Sequence, residues 1–319
     1  MSIDVLFLGG TSIDLIQDKR KKGGRRPVFA ASTGGSITNS AVIGAKLGLK
    51  AAMLSRIGKD PLGDFAVRFL TSCGVNTKGI IQDPVIRTPL AIANIDRSGD
   101  SIYTFYKNPP KQSIVPLKGV PKYLLKNCKI FHFGSSFSYQ KETSIEVLKF
   151  VKFLKKRGTF ISFDPNLRPY AIKDKIGAKK RVLDLLKWVD MAKLSEIDLG
   201  FLTGQKDPLR GLEKLKKLTP CEVILTLGPK GSIYLDSKER FIKIPAFRVK
   251  IADTIGAGDA FTAGLLYKLN KIGGRAFFNN IRPHLIFASA VSAIICTNKG
   301  ANQALKNLKQ VKNFLSKLT

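Results

Sequence analysis

The stretch Asp253-Thr254-Ile255-Gly256-Ala257-Gly258-Asp259 puts three small residues where an apolar helix, Ala260-Phe261-Thr262-Ala263-Gly264-Leu265-Leu266, would begin. Backbone stripped of side chains at a helix start lets several N–H groups face one anion, and the helix dipole favours that anion's charge. Asp259, a carboxylate in the same first turn, would stand beside the anion as a proton acceptor rather than as a second anion ligand. Phosphoryl transfer to an alcohol needs that pairing: the N–H groups of Gly256, Ala257, Gly258 and Asp259 to steady the group in transit, and Asp259 to deprotonate the attacking hydroxyl. A bare G-x-G-D also fits a glycine-softened turn with an aspartate as dipole partner.

Such a site needs elements to place it. The run from Phe241 to Val249 reads as a strand delivering the chain to the motif. Asp4 to Gly10 predicts a first buried strand ending in a glycine turn, with Asp14 just beyond it, either as a ligand or as a turn cap. Gly34-Gly35 leads through Asn39 into a small-residue helix from Ser40 to Leu47, stopped by Gly48. Ala51 to Gly58 predicts another strand, and Asp60-Pro61-Leu62-Gly63 a helix start capped by Asp60. Two hairpins interrupt this order: Ser12 to Gln17 with Pro27 to Ser32 through Lys22-Gly23-Gly24-Arg25, and Leu90 to Ile95 with Ser101 to Tyr106 through Ser98-Gly99-Asp100. Beyond them strands (Lys129 to Phe133, Thr159 to Phe163, Met191 to Leu194) alternate with helices (Thr143 to Lys156, Lys179 to Trp188). The reading is an α/β fold, a doubly wound, mostly parallel sheet flanked by helices, with ligands at the strands' C-terminal ends and a small β-sheet lid. Residues 1–11, 33–87 and 110–319 form the core and 12–32 and 88–109 the lid.

The glycine motif resembles the C-terminal signature D-T-x-G-A-G-D-x-F of the ribokinase-like (PfkB-type) carbohydrate kinases, and Gly34 to Ala41 resembles their N-terminal G-G-x-x-x-N-x-A. The resemblance runs from about Val5 to about Ala301. Phe105-Tyr106-Lys107-Asn108-Pro109 is similar to the F-Y-R-N-P of fructokinases, with a lysine where they have arginine, and Asp164-Pro165-Asn166-Leu167-Arg168 is similar to the D-P-N-x-R of fructokinases and 2-keto-3-deoxygluconate kinases. The latter also fits an Asx-Pro turn with an exposed arginine. The resemblance implies an ATP-dependent sugar kinase with fructose as the leading acceptor, and a keto-deoxy acid or a nucleoside as alternatives. Asp14, Gly34, Gly35, Asn39, Tyr106, Lys107 and Arg168 would hold the sugar beneath the lid. Ser195, Thr226, Gly228, Gly231, Gly258 and Ser289 would line the ATP site. Asp198, at the glutamate position of the family's N-x-x-E motif, would orient Mg²⁺ through water; Glu196 is its understudy, and a plain helix cap the alternative. Asp253 is the candidate ligand for a monovalent cation such as K⁺. A monomer, or a homodimer through the lid, is expected. His132 reads as a packed strand-end histidine.

The 319 residues carry 54 Lys and Arg against 23 Asp and Glu, a formal charge of +31. That excess attracts polyanions. Its runs, such as Lys19 to Lys22, Lys152 to Arg157 and Lys179 to Arg181, lie on different elements without a nucleic-acid-binding motif, so only weak, non-specific nucleic-acid contact is expected, and a kinase-like protein that binds nucleic acid is the rival class. No apolar run reaches the length of a membrane span, and four scattered cysteines suggest reduced thiols; a cytoplasmic enzyme is the expectation.

Overall fold

The computed structural model describes residues 2–17, 28–95, 101–236 and 238–317. The Gly23-Gly24 turn, the basic run Lys19 to Lys22 and the Ser98-Gly99-Asp100 turn lie outside those residues. The strands are β1 (Ile3–Leu8), β2 (Ser12–Gln17), β3 (Phe29–Gly34), β4 (Ala51–Gly58), β5 (Asn76–Asp83), β6 (Leu90–Ile95), β7 (Ser101–Tyr106), β8 (Cys128–Gly134), β9 (Phe160–Asp164), β10 (Met191–Ser195), β11 (Glu222–Thr226), β12 (Ser232–Leu235) and β13 (Phe241–Ile244). The helices are α1 (Ser36–Lys46), α2 (Pro61–Ser72), α3 (Lys122–Lys126), α4 (Ser136–Tyr139), α5 (Lys141–Lys155), α6 (Lys175–Leu186), α7 (Glu196–Thr203), α8 (Pro208–Leu218), α9 (Ala257–Ile272), α10 (Gly274–Asn279), α11 (Arg282–Cys296) and α12 (Leu308–Ser316).

The large sheet has the order β13-β12-β11-β10-β9-β8-β1-β4-β5, parallel from β5 through β11 and closed by the antiparallel β12 and β13. Its central strands are apolar on both faces because helices cover both: β1 is buried at every position. On one face Phe131, Phe150, Val182, Leu199 and Leu212 join β8 to α5, α6, α7 and α8. On the other Phe7, Ile37, Phe261, Leu265, Phe277 and Leu285 join β1 to α1, α9, α10 and α11. Each fully buried side chain of this kind contributes about 1.5–3 kcal/mol. From β1 the chain proceeds to β4 on one side and later fills β8 to β11 on the other, so the order reverses between β1 and β8. A crevice opens at such a switch point, beyond the strands' C-terminal ends.

The second sheet, β3-β2-β6-β7, joins the two hairpins through a parallel β2–β6 pair, in which Asp14 stands opposite Ala91. Asp60 caps α2 by accepting from the Gly63 N–H at 2.8 Å, and its carboxylate also accepts from the Thr88 N–H (2.8 Å) and hydroxyl (2.7 Å), tying the core to the foot of β6. One expectation shifts, and one strand was not anticipated. The strand read from Phe241 to Val249 stops at Ile244 because Pro245 has no N–H for the ladder. Strand β5, an edge strand with five of its eight positions only part-buried, carries too little apolar alternation to be read as one.

Candidate active site

Gly256 is the N-cap of α9 with φ +81°, and a Cβ there would lie 2.5 Å from the Ala301 carbonyl oxygen, so only glycine fits. Ala257 N–H donates to Thr254 O at 3.2 Å, closing the turn, and its carbonyl accepts from the Ser292 hydroxyl at 2.9 Å. The next N–H groups, of Gly258 and Asp259, belong to the first helical turn, which has no intrahelical acceptors for them. Four backbone donors are therefore expected from sequence, and the turn claims one of them, that of Ala257.

Asp259 is 7% exposed and held by α1: Ser36 donates its hydroxyl to Oδ1 at 2.6 Å, Asn39 donates Nδ2–H to Oδ2 at 2.8 Å, and Ser40 donates to the Asp259 carbonyl at 3.0 Å. Burial raises its pKa above the ordinary carboxylate range, and the charge of Asp164 adds to that; the bonds from Ser36 and Asn39, then Lys193, pull the other way. A carboxylate both fixed and made more basic is what a general base requires.

Asp14 follows β1 onto β2 and is 9% exposed. Burial pushes its pKa up to about 6; the Ser12 hydroxyl, donating at 3.2 Å, opposes the shift and the nearby Asp259 charge adds to it. A Cβ on Gly34 would overlap the Asp14 carboxylate, and one on Gly35 would overlap the Gly10 carbonyl oxygen. The paired glycines let these segments close on one another. Asn39, expected on the sugar, donates one N–H to Asp259 and accepts from Asn302 Nδ2 at 3.2 Å, so in the fold it orients the Asp259 carboxylate. From the lid, Lys107 lies over the Phe105 ring at 4.2 Å. Surrounding protein, then the like charge of Arg168, lowers the Lys107 pKa. Arg168 is exposed and donates to Leu167 O at 3.1 Å, and Tyr106 is 58% exposed at the end of β7.

The residues expected to line the nucleotide lie at β10, β11, α9 and α11 and in the loops beside them. Asp198 is 1% exposed and closes a capping box: its Oδ2 accepts from the Ser195 N–H (2.7 Å) and hydroxyl (2.6 Å), and its Oδ1 from the Leu167 N–H (2.7 Å). Burial, then Asp164, raises its pKa. A carboxylate so occupied serves as a cap, and Glu196 is the exposed acid in that turn. Ser195 is likewise engaged in the box. Thr226 donates its hydroxyl to Leu194 O at 3.1 Å, joining β11 to β10. Gly228 presents bare backbone to open space, whereas a Cβ on Gly231 would overlap the Ile244 carbonyl oxygen, a demand of the β-hairpin itself. Ser289 is buried within α11, and Ser292, a turn further on, is the serine that reaches the anion-hole loop. Asp253 accepts from the Ile255 N–H at 2.9 Å and the Gly300 N–H at 3.0 Å, clipping that loop to the chain's closing loop. Among the described residues no three His, Cys, Asp or Glu side chains group to hold a metal.

Sequence reasoning missed Lys193 and the second use of Asp164. Lys193 Nζ pairs with Asp164 Oδ2 at 2.6 Å, and Thr262 donates to the same oxygen at 3.2 Å. Asp164 Oδ1 accepts from the Asn166 N–H at 3.1 Å, so the Asx turn forms as well, with Asn166 at φ +41°. The overlooked signal was a lysine inside the buried strand Met191-Ala192-Lys193-Leu194. His132 is fully buried, with Nδ1 3.0 Å from the Ser162 hydroxyl, and burial takes its pKa down to about 4. Cys73, Cys128, Cys221 and Cys296 are free, Cys128 and Cys221 of them buried.

A family model described as pfkB family carbohydrate kinase matches residues 2–308. The probable chloroplastic fructokinase-6 of Arabidopsis thaliana is 32% identical over 294 residues, which cover 91% of this chain and 76% of that protein. The structure of fructokinase from Xylella fastidiosa with bound ATP aligns with TM-score 0.89 and 25% identity, covering 100% of this chain and 99% of its own. That of fructokinase from Vibrio cholerae O395 in its fructose-, ADP- and calcium-bound form aligns with TM-score 0.86 and 28% identity, covering 98% and 99%. The ribokinase-like architecture expected from the two glycine motifs is the one these structures share.

Proposed function

The chain belongs to the pfkB family of carbohydrate kinases, phosphotransferases with an alcohol acceptor, and from that premise we propose that it transfers the γ-phosphate of ATP to a primary hydroxyl of fructose or a close ketose. The observation that carries the reading is the buried Asp259 carboxylate, fixed by Ser36 and Asn39 in the helical turn that also presents free N–H groups. In the proposed step the acceptor hydroxyl gives its proton to Asp259, its oxygen forms the new bond to phosphorus, and the bond from phosphorus to the departing ADP oxygen breaks. The N–H groups of Gly258 and Asp259 hold the charge on the phosphoryl oxygens. Asp14, with two acceptor oxygens, takes hydrogen bonds from neighbouring sugar hydroxyls, which relieves two carboxylates otherwise confined together. The lid excludes water from the transfer. A divalent ion such as Mg²⁺ would neutralise phosphate charge; with Asp198 engaged in its cap, the exposed Glu196 in the same turn is the carboxylate proposed for its water shell, and Asp253 is the proposed neighbour of a monovalent cation.

A second reading has its own support. Lys107 feels the charge of Arg168, and one cation on the lid with another beyond β9 suits the carboxylate of a keto-deoxy acid. ADP release with fructose, ribose, tagatose, 2-keto-3-deoxygluconate, adenosine and inosine at equal concentration separates these readings. The highest kcat/KM is expected on fructose; a preference for the keto acid or a nucleoside, with fructose at background, overturns the ketose assignment.

A further inference from the structure

Lys193 has a side chain 6% exposed, paired with Asp164, which is 1% exposed. Removing an ammonium from water costs several kcal/mol even after relaxation, and a buried ion pair replaced by neutral groups of similar shape is often no less stable. The position makes that cost harder to explain by folding alone. A Cβ built on Gly258 would lie 3.4 Å from Lys193 Nζ, so the ammonium sits against the first turn of α9, the positive end of its dipole. A cation there is disfavoured, the reverse of the usual preference for anions at a helix N-terminus. Asp164, Asp198 and Asp259 balance the charge at rest, while the ammonium and the helix's positive end still converge on the turn of Gly258.

We infer that Lys193 is a fixed positive charge built into the anion hole, adding to the N–H groups of Gly258 and Asp259 in stabilising the phosphoryl group in transit. The inference rests on the phosphotransferase activity and not on which sugar is used. Asp164 of β9 and the Thr262 hydroxyl of α9 hold the pair in place. The groups facing Lys193 are Asp164, Asp198 of α7 and Asp259 of α9, with His132 of β8 beside them. Burial works against the lysine's charge, but the three carboxylates outweigh it and raise its pKa. The ammonium therefore stays charged across the neutral pH range. His132, taken down to about 4 by burial, is neutral over the same range and adds no competing charge.

The test is the double variant Lys193→Met/Asp164→Asn, which deletes both charges together and leaves no buried carboxylate unpaired. Its opposing effects on the Asp259 pKa offset each other, since Lys193 lowers and Asp164 raises it. With the acceptor that the wild type turns over best, kcat is expected to fall about 10²-fold, the size of losing an anion-hole donor, while KM for ATP and acceptor stays within about threefold. Affinity for ADP with aluminium fluoride, a mimic of the group in transit, should fall at least about tenfold while affinity for ADP alone holds. Lys193→Gln, which keeps a donor for Asp164 without the charge, should do the same and covers the case in which the double variant does not fold. A folded variant with kcat within about threefold of wild type, or one that loses ADP as much as ADP with aluminium fluoride, overturns the inference. Those results leave the family's reaction standing; a wild type that releases no ADP with any acceptor is the separate failure of that reading.

Discussion

Substituting Asp14 by asparagine should make the ligand-free protein more stable and the enzyme worse. The Asp14 pKa is about 6 in the fold against an ordinary 3.8. The folded state therefore holds this proton more tightly than the unfolded chain, and stability falls as pH rises from about 4 to about 6. Above that window the ionised carboxylate sits at its full penalty, about 3 kcal/mol for a shift of roughly two pKa units. Asparagine has nearly the same shape, keeps an acceptor for the Ser12 hydroxyl and removes the charge that repels Asp259. Urea unfolding of wild type and Asp14→Asn, without substrate, should show the variant more stable by up to about 3 kcal/mol at pH 8, with the difference vanishing near pH 4. The same change removes one acceptor oxygen from the sugar, so KM for fructose should rise about tenfold or more. A stability difference that is absent at pH 8, or that does not change with pH, would refute the account of Asp14 as a carboxylate held at a cost for its ligand.

Other outcomes follow from named contacts. Gly34→Ala would push a methyl group into the Asp14 carboxylate, and titration calorimetry should show sugar affinity lost at least about tenfold with ATP affinity kept. Asp60→Ala removes the cap of α2 and the bonds to Thr88, and thermal unfolding should report a loss of about 1–2 kcal/mol. Nucleic-acid binding, driven by a formal charge of +31, should be weak and collapse between low and physiological salt; sequence-selective binding that survives physiological salt would revive the rival class.

The fold was legible where the chain repeats one physical pattern. Short, largely apolar strands such as Val5 to Leu8 and Phe160 to Phe163, alternating with periodic helices along most of the chain, dictate a parallel sheet buried on both faces. The glycine motifs were legible because their spacing has few other uses. The edge strand β5 and the early end of β13 at Pro245 depend on how much of each is covered, which a short window does not reveal. At the site, Asp259 and Asp14 could be placed by motif, but side-chain partnerships could not. Asn39 turns to Asp259, Asp198 turns inward to its cap, and Lys193 meets Asp164, a residue on another strand. Those choices are made by tertiary packing between elements distant in sequence.

The central claim is tested most directly by kcat of Asp259→Asn, measured as ADP release with the preferred acceptor, alongside ATP binding by calorimetry. Asparagine can keep the bond from Ser36 but cannot accept the acceptor's proton, so kcat should fall about 10²-fold or more while folding and ATP affinity stay near wild type. Turnover within a few-fold of wild type would remove Asp259 from the role of base and contradict the account.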